Sequence, residues 1–381
     1  MRFHFLHQRK TIQDSTLLQA IAAVTLLALL MACGGNSTTS QAPPPSDPPV
    51  VPTSPTLVDR YYAGPGSRWD VALLASGAFT IERRATATSP VILTVEGTYE
   101  QLTSGFLTFT VTAASGMDAP AVGSGAWALE VPGVALFLRP EPALDRGFIS
   151  LLEAGECPTD TFDSNWVMAR PGASIDANDL NEPLLGSFSF DPATGESRLD
   201  ERYSLNNFNP LGELDLGTGS CSDGLLVNDA AAVYLTSNGG GLVKTFNPDP
   251  AETSIVLAMP SASVTGIDAL DGSFIGVLSD NVTSAGVAPI SVACSAGLCT
   301  GDVLTAVDDA TIVSSFEIDL FGTLDFPVSG FVSGEFRADG NRGAVACQVV
   351  PAATPGERLA TCVAQDPADN DDMLSLLLRA I

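Results

Sequence analysis

The chain has 381 residues, of which 44 are acidic and 17 basic, so its formal net charge is −27. A surface this acidic repels nucleic acid and anionic lipid head groups, which excludes nucleic acid as a partner. The two histidines, His4 and His7, both lie in the first ten residues.

The N-terminal segment has the composition of a signal peptide. Arg2, Arg9 and Lys10 make its start positive, and residues 20–32 form an apolar run interrupted only by Thr25. A run of 13 residues is too short to span a bilayer comfortably and is typical of the apolar region of an export signal. The sequence therefore predicts an exported protein.

The run ends in Leu30-Met31-Ala32-Cys33-Gly34, which resembles the lipobox of bacterial lipoproteins. In that family the signal is removed before the cysteine, and lipid is attached to its sulfur. The resemblance implies a diacylglyceryl group and usually an N-acyl chain on this residue, where each buried CH₂ contributes about 0.8 kcal/mol. Glycine rather than aspartate after the cysteine implies, for Gram-negative members, an outer-membrane location. The expected membrane contact is thus a lipid anchor on an envelope protein.

A proline-rich tether follows the predicted signal of residues 1–32. Residues 33–56 contain seven prolines among serine, threonine, glutamine and alanine, including three in a row at 43–45. Such a composition favours polyproline II and forms no core. At about 3.1 Å per residue, the 21 residues from Asn36 would reach about 65 Å. The tether is predicted to be a spacer between the lipid and a folded body.

Short alternating segments dominate the chain beyond the tether. In residues 106–112, the side chains of Leu107, Phe109 and Val111 share one face, while threonines occupy the other. Residues 316–320 alternate in the same way with acids outside. Glycine and proline punctuate about 21 such segments, which predicts an all-β protein of antiparallel meander barrels or sandwiches. We expect two β units, 57–186 and 187–381.

Six cysteines remain besides Cys33, and an even number in an exported chain predicts three disulfides with 15 possible pairings. Local spacing favours Cys294–Cys299 and Cys347–Cys362, which leaves Cys157–Cys221 by elimination. No Cys-x-x-Cys pair occurs, so the cysteines do not suggest a metal site.

Two acidic segments are weak candidates for Ca²⁺, and no other cofactor is expected. The denser one contains Asp366, Asp369, Asp371 and Asp372, but lacks the order of acids and the central glycine of an EF-hand. The other, residues 176–182, has a leucine at the third ligand position. A solvated acidic loop is the simpler interpretation of both.

Three tryptophans are candidates for the wall of a sugar or lipid pocket: Trp69, Trp127 and Trp166. Large aromatic residues of β proteins are more often core than ligand contacts. Trp166 lies in a stretch rich in acids and predicted to be a loop, residues 157–183, and is the best single candidate for ligand binding.

Two classes of function remain open. Removal of the signal leaves 14 basic and 43 acidic residues, no histidine and one lysine, Lys244, which is expected to face solvent from a strand. Serine–histidine, cysteine–histidine and histidine–zinc catalysis are thereby excluded. The first hypothesis is a non-enzymatic envelope lipoprotein, structural or ligand-binding. The alternative is a surface hydrolase, such as a glycosidase, that uses two carboxylates about 5–10 Å apart.

Lipidation at Cys33 is directly testable. The Cys33→Ala variant should accumulate as an uncleaved precursor and incorporate no labelled fatty acid, because the sulfur that accepts the lipid is gone. Metabolic labelling and gel mobility measure both effects. Lipid labelling of this variant would contradict the prediction.

Overall fold

The structure is a computed structural model, and it describes residues 58–64, 68–85, 89–140, 149–170, 184–205, 209–227, 231–236, 240–245, 255–260, 266–279, 287–324, 330–351, 358–365 and 373–381. The predicted signal, Cys33 and the tether lie outside these residues. Leu57–Ile381 cluster as one compact unit that contains three β-sheets.

Barrel 1 is a closed antiparallel barrel in which each of eight strands pairs with the next. The last strand closes on the first, with Tyr62 opposite Glu153 and Ala63 opposite Leu152. Its strands are β1 (Arg60–Gly64), β2 (Arg68–Leu73), β3 (Ala78–Arg84), β4 (Val91–Gln101), β5 (Leu107–Gly116), β6 (Gly125–Val131), β7 (Ala135–Pro140) and β8 (Ile149–Glu153).

The middle sheet is open and has nine strands in the order β12-β11-β10-β9-β17-β16-β15-β14-β13. Its two halves are meanders joined where β9 pairs with β17, for example at Trp166 opposite Ala258. Its strands are β9 (Phe162–Arg170), β10 (Leu184–Asp191), β11 (Glu196–Ser204), β12 (Leu214–Thr218), β13 (Cys221–Ser222), β14 (Leu225–Val227), β15 (Ala231–Leu235), β16 (Gly241–Thr245) and β17 (Ile255–Pro260).

Barrel 2 is a second closed eight-stranded meander, and a short 3₁₀ helix, Ile267–Leu270, precedes it. It closes through the pairing of its first and last strands, with Val277 opposite Leu377. Its strands are β18 (Gly272–Ser279), β19 (Val287–Ser295), β20 (Leu298–Ala306), β21 (Asp309–Leu324), β22 (Phe331–Ala338), β23 (Asn341–Pro351), β24 (Arg358–Gln365) and β25 (Met373–Ala380).

The predicted all-β class is confirmed, and the antiparallel meanders include two closed barrels. The expected boundary at 186/187 falls inside β10, within the middle sheet. The segment 157–183, expected to be loop-rich, contains strand β9. Ser164 and Asn165 are both buried there although they point to opposite faces. A strand buried on both faces lacks the polar alternation that marks a half-exposed strand.

The three sheets share one apolar core. Strands β6 and β7 are buried on both faces, so that Leu129 and Phe137 point out of barrel 1 while Leu136 points into it. The outward side chains pack in one cluster with side chains of the middle sheet and of the outer surface of barrel 2. Members of this cluster from the three sheets include Leu129, Val131, Phe137, Tyr234, Leu257, Ile275, Val277 and Leu377.

Polar contacts also join the sheets. The Ser104 hydroxyl donates to the Val307 carbonyl of barrel 2 over 2.9 Å. The Gly155 amide, which follows barrel 1, donates to the Tyr234 hydroxyl of the middle sheet over 3.1 Å. The turn at Gly105 has φ of +92°, and an added Cβ there would lie 2.7 Å from Ile275 of barrel 2. Glycine therefore permits both the turn and the close approach.

The structure contains the three predicted disulfides, which confirms this expectation. Cys157–Cys221 joins the segment after barrel 1 to β13 of the middle sheet. Cys294–Cys299 and Cys347–Cys362 each link residues directly opposite each other on neighbouring strands of barrel 2. The cysteines of these two pairs belong to the core inside that barrel.

The described residues include no helix that is long and apolar enough to cross a membrane.

Candidate ligand-binding cavity

Barrel 1 has an apolar inner face because its strands alternate. In β5, Leu107, Phe109 and Val111 point inward and are buried, whereas Thr110 and Thr112 point outward and are exposed. The other strands contribute the same kind of row, so that one cluster of apolar side chains occupies the inside of the barrel. The pattern predicted from residues 106–112 thus forms one part of the inner wall of the barrel.

Part of that space is empty. A cavity of about 420 Å³ lies inside barrel 1. Its lining is almost entirely apolar and draws on seven of the eight strands, together with residues 118–121 of the β5–β6 connection; the lining includes Trp69, Phe79, Ile81, Val95, Phe109 and Val111. Its volume is within the range of about 300–1,000 Å³ that is usual for small-molecule sites.

Small residues occur on the inner face of barrel 1. Ala126 lines the cavity, and Ala114 is packed against the same core. In barrel 2, by contrast, the rings of Phe316 and Phe336 stack at 5.1 Å inside the barrel, and Phe316 covers Gly301. The two barrels have the same topology but carry different residues on their inner faces.

Aromatic rings close one side of the cavity. Phe79 and Phe109 meet edge to face, with ring centroids 5.2 Å apart, and Tyr99 lies 6.0 Å beyond Phe109. The ring of Phe79 packs closely against Gly97 of β4. A Cβ added at Gly97 would lie only 2.6 Å from that ring, so a larger residue would not fit there. These rings separate the cavity from the other end of the barrel, which we call the polar end.

The polar end is built on a buried carboxylate. Glu130 is 2% exposed and accepts hydrogen bonds from Nη2 of Arg60 at 3.0 Å and from the Tyr62 hydroxyl at 2.7 Å. Nε of Arg60 contacts Oε1 of Glu130, the oxygen that also accepts from Tyr62, and the guanidinium lies 6.0 Å from the centre of the Tyr99 ring. The charge of Glu130 is therefore matched, as burial of a carboxylate requires.

Burial dominates the acid–base behaviour of this end. It raises the pKa of the Tyr62 hydroxyl well above the ordinary value of 10, and the negative charge of Glu130 raises it further. Burial also raises the pKa of the Glu153 carboxyl, which lies opposite Tyr62 on β8. Both shifts favour the uncharged form of a group that is removed from water.

The opposite end, the cavity end, carries a tryptophan and an arginine side by side. Trp69 lines the cavity and is directly opposite Arg83 in the register of β2 and β3. The guanidinium carbon of Arg83 lies 5.3 Å from the centre of a Trp69 ring. Asp118, on the β5–β6 connection, also borders the cavity and is exposed.

The structure places the three candidate tryptophans in different surroundings. Trp69 lines the cavity. Trp127 points out of barrel 1 and meets Phe106 edge to face at 5.7 Å in the core between the sheets. Trp166 is fully buried in the middle sheet, and its Nε1 donates to the Ser187 carbonyl over 2.8 Å. Of the three candidates, Trp69 is thus the one that lines the cavity described above.

Several sequence-predicted sites lie outside the described residues. These are the lipidation site Cys33, the acidic segment 176–182 and the candidate Ca²⁺ ligands Asp366, Asp369, Asp371 and Asp372. Within the part of the chain that the structure describes, no three histidine, cysteine, aspartate or glutamate side chains come together as metal ligands. Glu130 is the buried carboxylate of that part, and it is held by Arg60 and Tyr62.

Comparisons with known proteins add no family. No protein-family model matches the chain. No curated protein matches it either. Similar solved structures include transferrin binding protein B from Haemophilus parasuis Hp5, as a tryptophan-to-alanine mutant, and the isotype 1 transferrin binding protein B from serogroup B Neisseria meningitidis.

These two likenesses are remote. Their sequence identities are 10% and 13%, their TM-scores are 0.25 and 0.24, and they cover 84% and 83% of this chain. The chain spans 66% and 65% of the length of those proteins, just under two thirds. Likenesses at such TM-scores carry no argument about the fold or the ligand of this chain.

Removal of the buried carboxylate should destabilise the protein. Glu130→Ala leaves the guanidinium of Arg60 and the hydroxyl of Tyr62 without their acceptor, which should cost about 3–5 kcal/mol. A lowered urea midpoint in circular dichroism would measure the loss. Glu82→Ala is the control, because the bridge from Glu82 to Arg84 is about one third exposed and should contribute at most about 1 kcal/mol. Equal effects of the two changes would contradict this account.

Stability should also fall at alkaline pH. In the unfolded chain Tyr62 loses its proton near the ordinary pKa of about 10, whereas the folded protein holds that proton to higher pH. The folded state therefore binds more protons above about pH 10, and the free energy of unfolding must decrease as the pH rises further. Urea midpoints measured across this range should fall less steeply in Tyr62→Phe. An equally steep fall in the variant would show that Tyr62 is not responsible.

Proposed function

We propose that this chain is a lipid-anchored protein of the bacterial envelope that holds an apolar small molecule inside barrel 1. The observation that carries the proposal is the cavity of about 420 Å³. Protein interiors are close-packed, and voids much larger than a water molecule are few. An apolar cavity of about 150 Å³ already stays dry and binds benzene. The apolar lining of the larger cavity in barrel 1 likewise favours an apolar molecule over water.

The surroundings of the cavity suit a binding role. Its walls are strands of a closed barrel, and a rigid wall keeps the space open without a ligand. The other end of the same barrel is closed by the aromatic rings and by Glu130, which is hydrogen-bonded to Arg60 and Tyr62. The ligand would thus occupy one end of barrel 1, while the polar end, the middle sheet and barrel 2 serve as its support.

The envelope location rests on the sequence. The lipobox at Cys33 and the apolar run before it support export and lipidation, and the tether would allow the folded unit to lie tens of ångströms from the lipid. We propose that the lipid anchor lies in the outer membrane, because Gly34 and not an aspartate follows Cys33, and in Gram-negative lipoproteins that pattern implies transfer to the outer membrane. The protein acts in this proposal by binding rather than by catalysis.

Filling the cavity tests the binding function. Val111→Phe places a ring in the space, whereas Thr110→Phe, one residue away, places the same ring on the outside of the barrel. The compact unit from residue 57 onward should bind the neutral fluorophore N-phenyl-1-naphthylamine with a blue shift and increased emission. We expect binding to weaken at least about tenfold in Val111→Phe and to persist in Thr110→Phe.

The control variant decides how a negative result is understood. Circular dichroism and the thermal midpoint should show that both phenylalanine variants retain the fold. Unchanged fluorophore binding in a folded Val111→Phe protein would refute the cavity as the binding site. Absence of binding to the unmodified protein would refute the apolar-ligand function itself.

A further inference from the structure

The connection between β5 and β6 borders the cavity and also carries exposed apolar side chains. Residues 118–121 of this connection line the cavity. On either side of them, Met117 and Val122 are 60% and 70% exposed. Single exposed apolar residues are ordinary, whereas apolar residues that gather at one place indicate an interaction site. These two side chains lie together beside the one cavity described above.

Backbone hydrogen bonds fix both ends of this connection. The Met117 amide donates to the Ile92 carbonyl of β4, and the Gly123 amide donates to the Val111 carbonyl of β5, each over 2.8 Å. Gly116 and Gly123 have φ of +106° and +88°, a conformation that glycine adopts without strain. The exposed apolar side chains are therefore presented to the surroundings by a backbone that is held against the barrel.

The connection lies at the end of barrel 1 through which a ligand of the cavity has to pass. The polar end is closed by the rings of Phe79 and Phe109 and by the hydrogen-bonded Glu130. The sides of the barrel are strands that pair continuously around it. The cavity end is thus the entrance, and Met117 and Val122 lie beside it.

The cavity end is much less acidic than the chain as a whole. The mature chain has 43 acidic and 14 basic residues. Of the residues that the structure describes at the cavity end, four are basic and three are acidic: Arg68, Arg83, Arg84, Arg139, Asp70, Glu82 and Asp118. Repulsion between the acidic protein and an anionic lipid surface is therefore small at this end.

The predicted tether is long enough to let the cavity end reach the membrane. The tether ends before β1, whose first residue Arg60 lies at the polar end. The longest strand of barrel 1, β4, has 11 residues and is about 36 Å long at a rise of about 3.3 Å per residue. The predicted reach of about 65 Å from the lipid exceeds that length. The entrance can accordingly face the membrane that holds the anchor.

We propose that the cavity end of barrel 1 docks on a lipid bilayer through Met117 and Val122 and exchanges its apolar ligand with that bilayer. An apolar molecule partitions out of water, so an entrance seated on the membrane spares it the passage through water. Apolar side chains that enter the boundary between head groups and acyl chains provide this kind of attachment. The exchange rests on the proposed apolar-ligand function, whereas the docking does not.

Vesicles of phosphatidylcholine test the docking. The compact unit from residue 57 onward lacks the lipidated cysteine, so it binds them only through its own surface. Met117→Ser combined with Val122→Ser should weaken co-sedimentation with the vesicles at least about tenfold, because two inserted apolar side chains are lost. Ile312→Ser combined with Val313→Ser is the matched control, since these residues of β21 are 54% and 48% exposed. The control variant should bind the vesicles like the unmodified unit.

Tryptophan substitutions report which surface enters the bilayer. A tryptophan at Val122 should be quenched by brominated phosphatidylcholine, whereas one at Ile312 should not. Circular dichroism and the thermal midpoint verify that each variant is folded, which exposed positions such as these favour.

The outcomes separate the docking from the function of the cavity. Absence of vesicle binding by the unmodified unit, or equal binding by the two serine variants, would overturn the docking. Self-association that depends on Met117 and Val122, without vesicle binding, would assign this surface to a second copy and would also overturn it. If vesicle binding required these two residues but N-phenyl-1-naphthylamine did not bind the unmodified unit, the docking would stand and the apolar-ligand function would fail.

Discussion

Apolar side chains that point outward from the barrels are the constraint on which the tertiary structure depends. In β6 and β7 both faces are apolar, so Leu129 and Phe137 would meet water if barrel 1 stood alone. Each square ångström of apolar surface removed from water stabilises the fold by about 25 cal/mol. The middle sheet and barrel 2 supply the surfaces that cover these side chains. The three sheets therefore behave as one unit, although each has its own strand meander.

The two barrels share a topology but have different interiors. In barrel 2 the rings of Phe316 and Phe336 stack inside the barrel, and two disulfides lie among its core side chains. Barrel 1 holds a matched charge cluster at the polar end and an empty apolar space at the cavity end. The small residue Ala126 is part of the lining of that space.

Sequence reasoning located the walls of the candidate site but not the site. The alternation in residues 106–112 correctly assigned Phe109 and Val111 to one face, because side-chain direction along a strand is a local property. The same reasoning selected Trp166, whose acid-rich neighbourhood resembled an exposed loop, whereas the residue is buried in β9. It did not select Met117 and Val122, because no local signal shows that the connection between β5 and β6 borders a cavity.

The sequence by itself determined the all-β class, the division of the chain into short strands separated by turns, and the pairing of the two local disulfides. Each of these depends on residues that are close together in the chain. Only the tertiary structure decided that the strands form three sheets, that barrel 1 contains a cavity, and that Glu130 binds Arg60 across 70 residues. The physical reason is that the alternation of residues along a strand predicts on which face of the sheet a side chain lies. It does not predict which side chains of other strands face it inside the barrel. A cavity is a property of opposing walls, and their side chains meet only after the barrel closes.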